Sequence, residues 1–547
     1  MKRFVTCVIA VLSAIPIVLA QEAVPPPTPI AAAKPQPLAM LALVVTDSRG
    51  NHIPSLARDD FQMTIGGTPV DVQKFTERGA GGAPAAEMRR IVVLFDGTTL
   101  SGSARRQAAE ALHGFLTRML RPGDLVAILE GDQSLRTMTG WTSNMTEVDA
   151  ALQQLSGESS TLKANEQEAA EKRIREIATD IQQAGQSGHT FYTFDALIDA
   201  ARTYAANGYR QAEGTLSMIS SAVSLFTSRT RNVLIVVGGG LPQTPGSGVF
   251  QYVESIRSNA QSGVLGANLQ AGAQASSPMG ESSSYDLTPL FNSFGMRAWR
   301  RGVVFYAISS DISEDSGNRI DMQVTSDRLA AFTNAATRFA GYHLLAQETG
   351  GVAFVGRSAV DGLNRIASDL ESFYTVGVHP TAPISGRQAV AVKVKNGYSV
   401  RVTRASAGSG TPADEMESRV IANQMFKPTD NELGISLNAA PPTFEGERRL
   451  VTVDVLIPIR KLKLVPEGDS VTGAFTVFIS TGDPVGNSSN VNRQTKEIRW
   501  PAEAVRRAGD KALTFRVNVV LEPGRSQISI GVMDEKSQEK GFGRVTV

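Results

Sequence analysis

The sequence predicts an α/β protein: a Rossmann-like, doubly wound domain flanked by a small N-terminal β unit and a C-terminal β-sandwich. Three observations carry this expectation. Ile91-Val92-Val93-Leu94-Phe95 is an unbroken apolar run, as a strand covered on both faces requires, and it ends at Asp96-Gly97-Thr98-Thr99. From there strand and helix patterns alternate to about residue 380. On either side of that stretch apolar residues recur at period two.

The chain begins with a pattern of export. Met1-Lys2-Arg3 is basic, residues 4–19 are apolar apart from Thr6, Ser13 and Pro16, and Val18-Leu19-Ala20 places small residues before Gln21. Residues 1–20 therefore read as a signal peptide, being too short a run for a membrane anchor of about 20 apolar residues. Cys7, the one cysteine of 547 residues, precedes most of the apolar run, which is the wrong place for a lipid-bearing cysteine. Cleavage removes it, so the mature chain has no thiol for a disulfide or a metal. The expected location is the periplasm, the cell envelope or the medium, with no membrane span after cleavage.

Residues 21–37 form a Pro/Ala-rich linker. In the small β unit, residues 38–80, Phe61, Met63 and Ile65 share one strand face, Gly66-Gly67 turns, and Val70, Val72 and Phe75 follow. The α/β domain spans 88–380. Ala108, Leu112, Phe115, Leu116 and Met119 recur at helical spacing, strands are expected at 125–129, 135–141, 233–237, 303–308 and 352–355, and a final helix opens with Ser358 and Asp361 in capping-box spacing and buries Leu363, Ile366, Leu370 and Phe373. Two insertions enlarge it. That at 158–186 carries Ile174, Ile177 and Ile181 on one stripe with Glu171/Arg175 paired on the wet side, and reads as a solvated helix packed on the domain, or as a protruding partner-binding helix. That at about 240–300 is rich in Gly, Ser, Gln and Ala in its first part and reads as a loop over one edge. Residues 381–404 form a β extension, 405–440 a second linker, and 441–547 the sandwich, with Val451/Val453/Val455/Ile457, Phe475/Val477/Ile479, Phe515/Val517/Val519 and Ile528/Ile530/Val532 alternating.

Composition narrows the function. With 54 Lys+Arg against 53 Asp+Glu there is no basic excess to neutralise phosphates, so nucleic acid is excluded as a partner class. The five histidines are scattered, and no nucleophile elbow, phosphate loop or dinucleotide fingerprint occurs. Gly350-Gly351 precedes a strand and reads as a backbone turn. His113 reads as a boundary or surface residue. The chain is expected not to be an enzyme.

In order along the chain, VVTDSRGNHIPSLARDDFQM, RRIVVLFDGTTLS, LRPGDLVAIL, RNVLIVVGGGLP and LAQETGGVAFVGRSAVDGLNRIASDLESFYTVGVHP resemble the von Willebrand factor A-related proteins abundant in Acidobacteria. The resemblance covers roughly residues 40–404. It implies a Rossmann-like von Willebrand A-type domain whose better-known relatives bind proteins or matrix through a metal-ion-dependent adhesion site. The family's metal loop, Asp-x-Ser-x-Ser, is matched by Asp96 and Thr98, with Leu100 in the third place and Ser101 one step out of register. Thr190 or Thr193, near Asp195, stands for the second-loop threonine, and Gly238-Gly239-Gly240 replaces the aspartate after the fourth strand. The site is thus degenerate, with Mg²⁺ or Mn²⁺ as the metal the resemblance implies at Asp96 and Thr98, and a helix-capping loop as the alternative reading of Asp96. The expected partner-binding face comprises Asp96, Thr98, Ser101, Thr193 and Asp195, and its expected ligand is a protein or peptide. A second expectation, of a different class, is a structural envelope component that self-associates through its β modules.

Overall fold

The computed structural model describes residues 38–79, 88–132, 135–157, 162–187, 192–226, 231–261, 278–309, 335–355, 358–380, 384, 386–404, 412–425, 431–446, 448–483, 488, 489, 491–509 and 511–547. The signal peptide and the first linker lie outside these, as do residues 405–411 of the second.

Four strands open the chain: β1 (Ala39–Thr46), β2 (Phe61–Ile65), β3 (Thr68–Val70) and β4 (Val72–Arg78). The α/β domain follows with β5 (Arg89–Asp96), β6 (Leu125–Gly131), β7 (Leu135–Thr142), β8 (Arg231–Val237), β9 (Val303–Ser309) and β10 (Ala353–Val355). They form one sheet in the order β10-β9-β8-β5-β6-β7, parallel except for β7. The helices are α1 (Gly102–Met119), α2 (Met145–Gly157), α3 (Leu162–Ser187), α4 (Phe194–Ser224), α5 (Ser247–Gln261), α6 (Thr288–Arg300), α7 (Ala340–Thr349) and α8 (Ala359–Glu371).

The apolar run of β5 serves two cores. Ile91, Val93 and Phe95 pack with Leu112, Phe115 and Leu116 of α1 and Leu363, Ile366 and Leu370 of α8. Val92 and Leu94 face the other way, onto Leu216, Ile219 and Val223 of α4, Phe291 and Phe294 of α6, and Leu345 of α7. Each such side chain contributes about 1.5–3 kcal/mol when fully buried, which is why helices are required on both faces. The strand order reverses between β5 and β8, so the crevice beyond their carboxyl ends is where an open α/β sheet offers a ligand site.

Several boundaries differ from the expected ones. Residues 38–80 do not stand alone. Strand β1 pairs with β11 (Phe373–Val378) on one side and β13 (Ser399–Arg404) on the other, with Leu43 opposite Tyr374 and Val402. Strand β2 pairs with β12 (Val390–Val394). The N-terminal unit and the 381–404 segment therefore make one β domain, with the α/β domain inserted between its halves. The physical reason lies in β1: Leu41, Leu43 and Val45 face Phe61, Met63 and Ile65 while Ala42 and Val44 are buried on the opposite side, so its backbone needs partners on both edges. Phe373, expected on the last helix, opens β11, and Ser358 caps α8 without a side-chain hydrogen bond, so the capping box does not form.

Of the two insertions, the first contains α3, whose Ile174, Ile177 and Ile181 pack on Phe194, Leu197 and Ala201 of α4 and on Val249, Phe250 and Val253 of α5. The described part of the second holds helices α5 and α6 in place of a loop. The second linker contains α9 (Pro412–Met425), whose Met416 and Val420 pack on Phe478, Met533 and Phe542. Beyond it come β14 (Ser436–Ala439), β15 (Thr443–Glu445), β16 (Arg448–Pro458), β17 (Val465–Glu467), β18 (Ser470–Gly482), β19 (Asn492–Pro501), β20 (Ala512–Leu521), β21 (Gln527–Asp534) and β22 (Lys540–Thr546). A short helix, α10 (Ala502–Ala508), joins β19 to β20. These strands form two antiparallel sheets that share one core from Val451, Val453, Phe475, Val477, Val517, Ile528 and Ile530.

The inserted domain is tied to its host by a buried charge. Asp369 of α8 is 1% exposed, and its Oδ1 accepts from Arg401 Nη2 of β13 at 2.6 Å, with Arg365 Nε 3.6 Å away. The Tyr306 hydroxyl donates to the other carboxylate oxygen at 3.3 Å, and Arg401 Nη1 reaches the Gly350 carbonyl at 3.2 Å. Removing one partner of such a pair leaves a charge without compensation in a poorly solvated place. Arg401→Met is therefore expected to lower the unfolding free energy by about 3 kcal/mol in urea titrations followed by far-ultraviolet circular dichroism. A change below about 1 kcal/mol, the scale of an exposed pair, would show that the network does not hold the two domains.

Candidate ligand face at the strand ends

Asp96 is the last residue of β5 and lies at the point where the strand order reverses. It is 1% exposed. Its Oδ1 accepts from the Thr98 amide at 3.1 Å and the Thr98 hydroxyl at 2.6 Å, and its Oδ2 from the Thr99 hydroxyl at 2.8 Å and the Thr215 hydroxyl at 3.2 Å. The Thr99 oxygen in turn accepts from the Gly239 amide at 2.9 Å, and the Thr98 carbonyl from Gln211 of α4 at 3.3 Å. Three segments thus converge on one carboxylate: the loop after β5, the last third of α4 and the loop after β8.

Burial raises the Asp96 pKa above the ordinary carboxylate value, against the opposing pull of the three threonines. Beside it, the Tyr342 hydroxyl lies over Gly238, and a Cβ at that position would sit 2.0 Å from the phenolic oxygen. Glycine there is a condition of the tyrosine's fit. Burial first, and the Asp96 charge second, push the Tyr342 hydroxyl well above the usual phenol range. Below the loop, a second buried ion pair links Arg105 of α1 to Glu130 of β6 at 2.5 Å, and Arg136 of β7 also holds Glu130.

The expected face does not assemble as a unit. Ser101 is the N-cap of α1, its Oγ accepting from the Ala104 amide at 3.2 Å. Thr193 is likewise the N-cap of α4, accepting from the Ala196 amide at 3.2 Å, and Asp195 stands exposed in that helix's first turn. Thr215, which reaches Asp96, lies on the same continuous helix, so Thr193 and Asp195 are about 30 Å away at 1.5 Å per residue. Thr190 lies outside the described residues. The threonine that sequence reasoning placed near the start of α4 is therefore Thr215, deep in its buried stripe. It is a polar residue in line with Ala212, Leu216 and Ile219, a position that does not by itself mark a site.

Because α4 runs back to the amino end of β8, its first half projects past the carboxyl ends of the strands and joins α3 and α5 in a core of their own. At the crevice itself Asp96, Thr98 and Leu100 are all buried. His113, expected at a boundary, is more than half exposed and pairs with Asp149 at 2.7 Å. Gly350 takes φ 80 at the C-cap of α7, a backbone turn as its position suggested.

A hard divalent cation at Asp96 fits these residues poorly. It prefers six or more oxygen ligands with carboxylates among them, whereas the loops supply one carboxylate and hydroxyls already engaged with it. Leu100, in the third place of the family's motif, is 2% exposed and packed in the α1 core. Among the described residues no group of three or more His, Cys, Asp or Glu is placed to hold a metal. The Mg²⁺ or Mn²⁺ reading of Asp96 and Thr98 gives way to a hydroxyl-lined carboxylate.

No family model and no curated protein matches the chain. Among solved structures it is similar to a von Willebrand factor type A protein from Catenulispora acidiphila, at 9% identity and a TM-score of 0.23 over 92% of this chain and 75% of that one. It is also similar to an aerotolerance-related membrane protein from Bacteroides fragilis, at 10% identity and a TM-score of 0.22 over 52% of this chain and 98% of that one. A proximal thread matrix protein from the mussel byssus aligns at 10% identity and a TM-score of 0.18 over 58% of this chain and 48% of that one. With overlaps this slight, the functional reading rests on the geometry of the chain itself.

A carboxyl whose pKa is higher folded than unfolded binds its proton better in the native state. The stability it contributes is complete below the unfolded value and is lost as pH rises through the folded one. Asp96→Asn keeps the shape and removes the titration, so its stability relative to wild type is expected to improve between about pH 5 and about pH 8 in denaturant titrations. Asp96→Leu leaves three hydroxyls without their acceptor and is expected to cost about 3 kcal/mol at either pH. A wild-type-to-Asn difference that stays constant with pH would rule out the raised titration.

Proposed function

We propose that this chain is an exported, non-enzymatic protein-binding module built on a von Willebrand A-like α/β domain, of the type its motif order resembles, that works without a metal ion. The observation that carries the reading is the convergence at Asp96. The first-strand loop, a threonine from α4 and the fourth-strand loop meet there, and two of these, the loops after the first and fourth strands, are places the family's adhesion site draws on. In this chain the same convergence is closed and structural. The carboxylate holds the loops in register, and the surface they support, with the helices above, is what a protein or peptide ligand meets. The two-sheet C-terminal domain reads as a β-sandwich module appended to this binding domain. No described helix is long and apolar enough to cross a membrane.

Calorimetric titration with Mg²⁺ or Mn²⁺ at millimolar concentration is expected to give no binding heat, and envelope proteins retained on the immobilised chain are expected to stay bound in EDTA. Saturable heat abolished by Asp96→Ala, or release by the chelator, would return the site to a metal-dependent one. Export has its own test. The protein recovered from the periplasm or medium of an expressing bacterium is expected to begin at Gln21 by N-terminal sequencing. A cytoplasmic chain retaining Met1 would overturn export.

A further inference from the structure

The edges of the C-terminal β domain are protected unequally. Strand β22 is covered: the Leu433 amide donates to the Lys540 carbonyl at 3.1 Å, and Asn431 bridges Gly541. Strands β14 and β15 are four and three residues long. Strand β19 is long, but Arg493, Lys496, Glu497 and Arg499 line it. These are the ordinary ways in which natural sheets prevent edge-to-edge pairing: cover, shortness and charge.

Strand β20 is neither short nor covered by a strand among the described residues, and it carries one charge. It runs ten residues, ALTFRVNVVL, without proline, and its register with β16 is unbroken from Arg449 opposite Leu521 to Pro458 opposite Ala512. Among the described residues its other edge pairs with no strand. Its single charge, Arg516, is already matched by Asp454 of β16 at 2.7 and 3.0 Å. Val520 is 52% exposed, and Leu513 and Phe515 are half-buried at the open side of the core.

We propose that β20 is a self-association surface, at which two copies of this chain join by antiparallel β20 strands about a twofold axis through Val517. The strand's own sequence favours a second copy as the occupant. About that axis Arg516 faces Asn518 of the other copy and Thr514 faces Val520, so no like charges are opposed. On the inner face Phe515 meets Val519 and Leu513 meets Leu521, which extends both cores across the junction. The patch is self-complementary, as an isologous interface must be, and the free ladder groups of both edges are satisfied together. The inference is independent of the ligand face at Asp96.

Sedimentation velocity of the full chain at tens of micromolar tests it, and a dimer is expected. Asn518→Lys with Val520→Lys, both on the solvent face, sets cations against Arg516 across the axis and is expected to raise the dimer dissociation constant about a hundredfold while leaving the far-ultraviolet circular dichroism spectrum of the folded chain unchanged. In a Cys7→Ser background, Val517→Cys is expected to give a disulfide-linked dimer on mild oxidation, and Val520→Cys is not. A monomer at every concentration overturns the proposal, including one whose β20 captures an extended strand from another protein. So does a dimer indifferent to the two lysines, or crosslinking at position 520 in preference to 517.

Discussion

Asp96 gives up its hydration at the end of the central strand. The loss is offset because four donors reach it from two separate parts of the chain, with a third held to them through Thr99. Apolar packing brings these segments together, with Leu241 of the loop after β8 in the same core as Leu216 and Ile219 of α4. The carboxylate adds directional contacts that set the loop after β5 and α4 against each other. Gly238 belongs to the same constraint, because any side chain there would collide with Tyr342 and push α7 away from the sheet. In a fold that places ligands at this crevice, the residues best suited to meet a ligand are spent on holding the crevice shut.

The second organising constraint is covalent. The chain leaves the β domain after β4, builds the whole α/β domain, and returns through α8 directly into β11, with Ser372 alone between helix and strand. Strand β1 accepts β11 and β13 on its two edges only after about 330 residues have been made. That is a non-local pairing whose closure entropy is repaid by the shared core around Tyr374 and Trp299. The Asp369–Arg401 contact crosses the same junction, and Arg231, lying over the Phe373 ring at 3.8 Å, donates to the Asp369 carbonyl. With Cys7 its sole cysteine the chain can form no internal disulfide, and its parts are joined by buried charge, strand pairing and the shared core.

What the sequence made legible follows the range of the interactions involved. The runs 91–95, 233–237 and 303–308 announce strands because each is buried on both faces, and the period-two segments after 450 announce the second β core for the complementary reason. Partnership between residues 39–46 and 373–404 leaves no local trace, since alternation tells which face of a strand is buried but not which strand lies beside it. The helix in the second linker was hidden by a glycine- and serine-rich approach, and its buried contacts, Met416 and Val420, are a four-residue repeat too short to register. At the site, Asp96 and Thr98 were legible from their place at a strand end. Thr215 was not, because a hydroxyl inside a helix ordinarily bonds its own backbone. Thr193 and Ser101 attracted attention for the opposite reason: both are good N-caps, and a cap and a ligand demand the same residue types at the same kind of position.

The long helix α4 decides what a partner can meet. One continuous run of 31 residues has Thr215 fixed in the carboxylate cage near one end and Phe194, Leu197 and Ile198 fixed in the α3–α5 core at the other. A helix with both ends packed moves as a rod, so the cage sets the height and tilt of the helices packed on its far end. Arg202, midway along the projecting half, reinforces this by gripping Glu281 at 2.6 Å and Asp199 at 2.7 Å. On the proposed reading, an acidic ligand group arriving at the strand ends finds a carboxylate already buried among threonine hydroxyls. Recognition, on the same reading, is carried by the surface those helices present, and the buried carboxylate acts on it only through the position of α4.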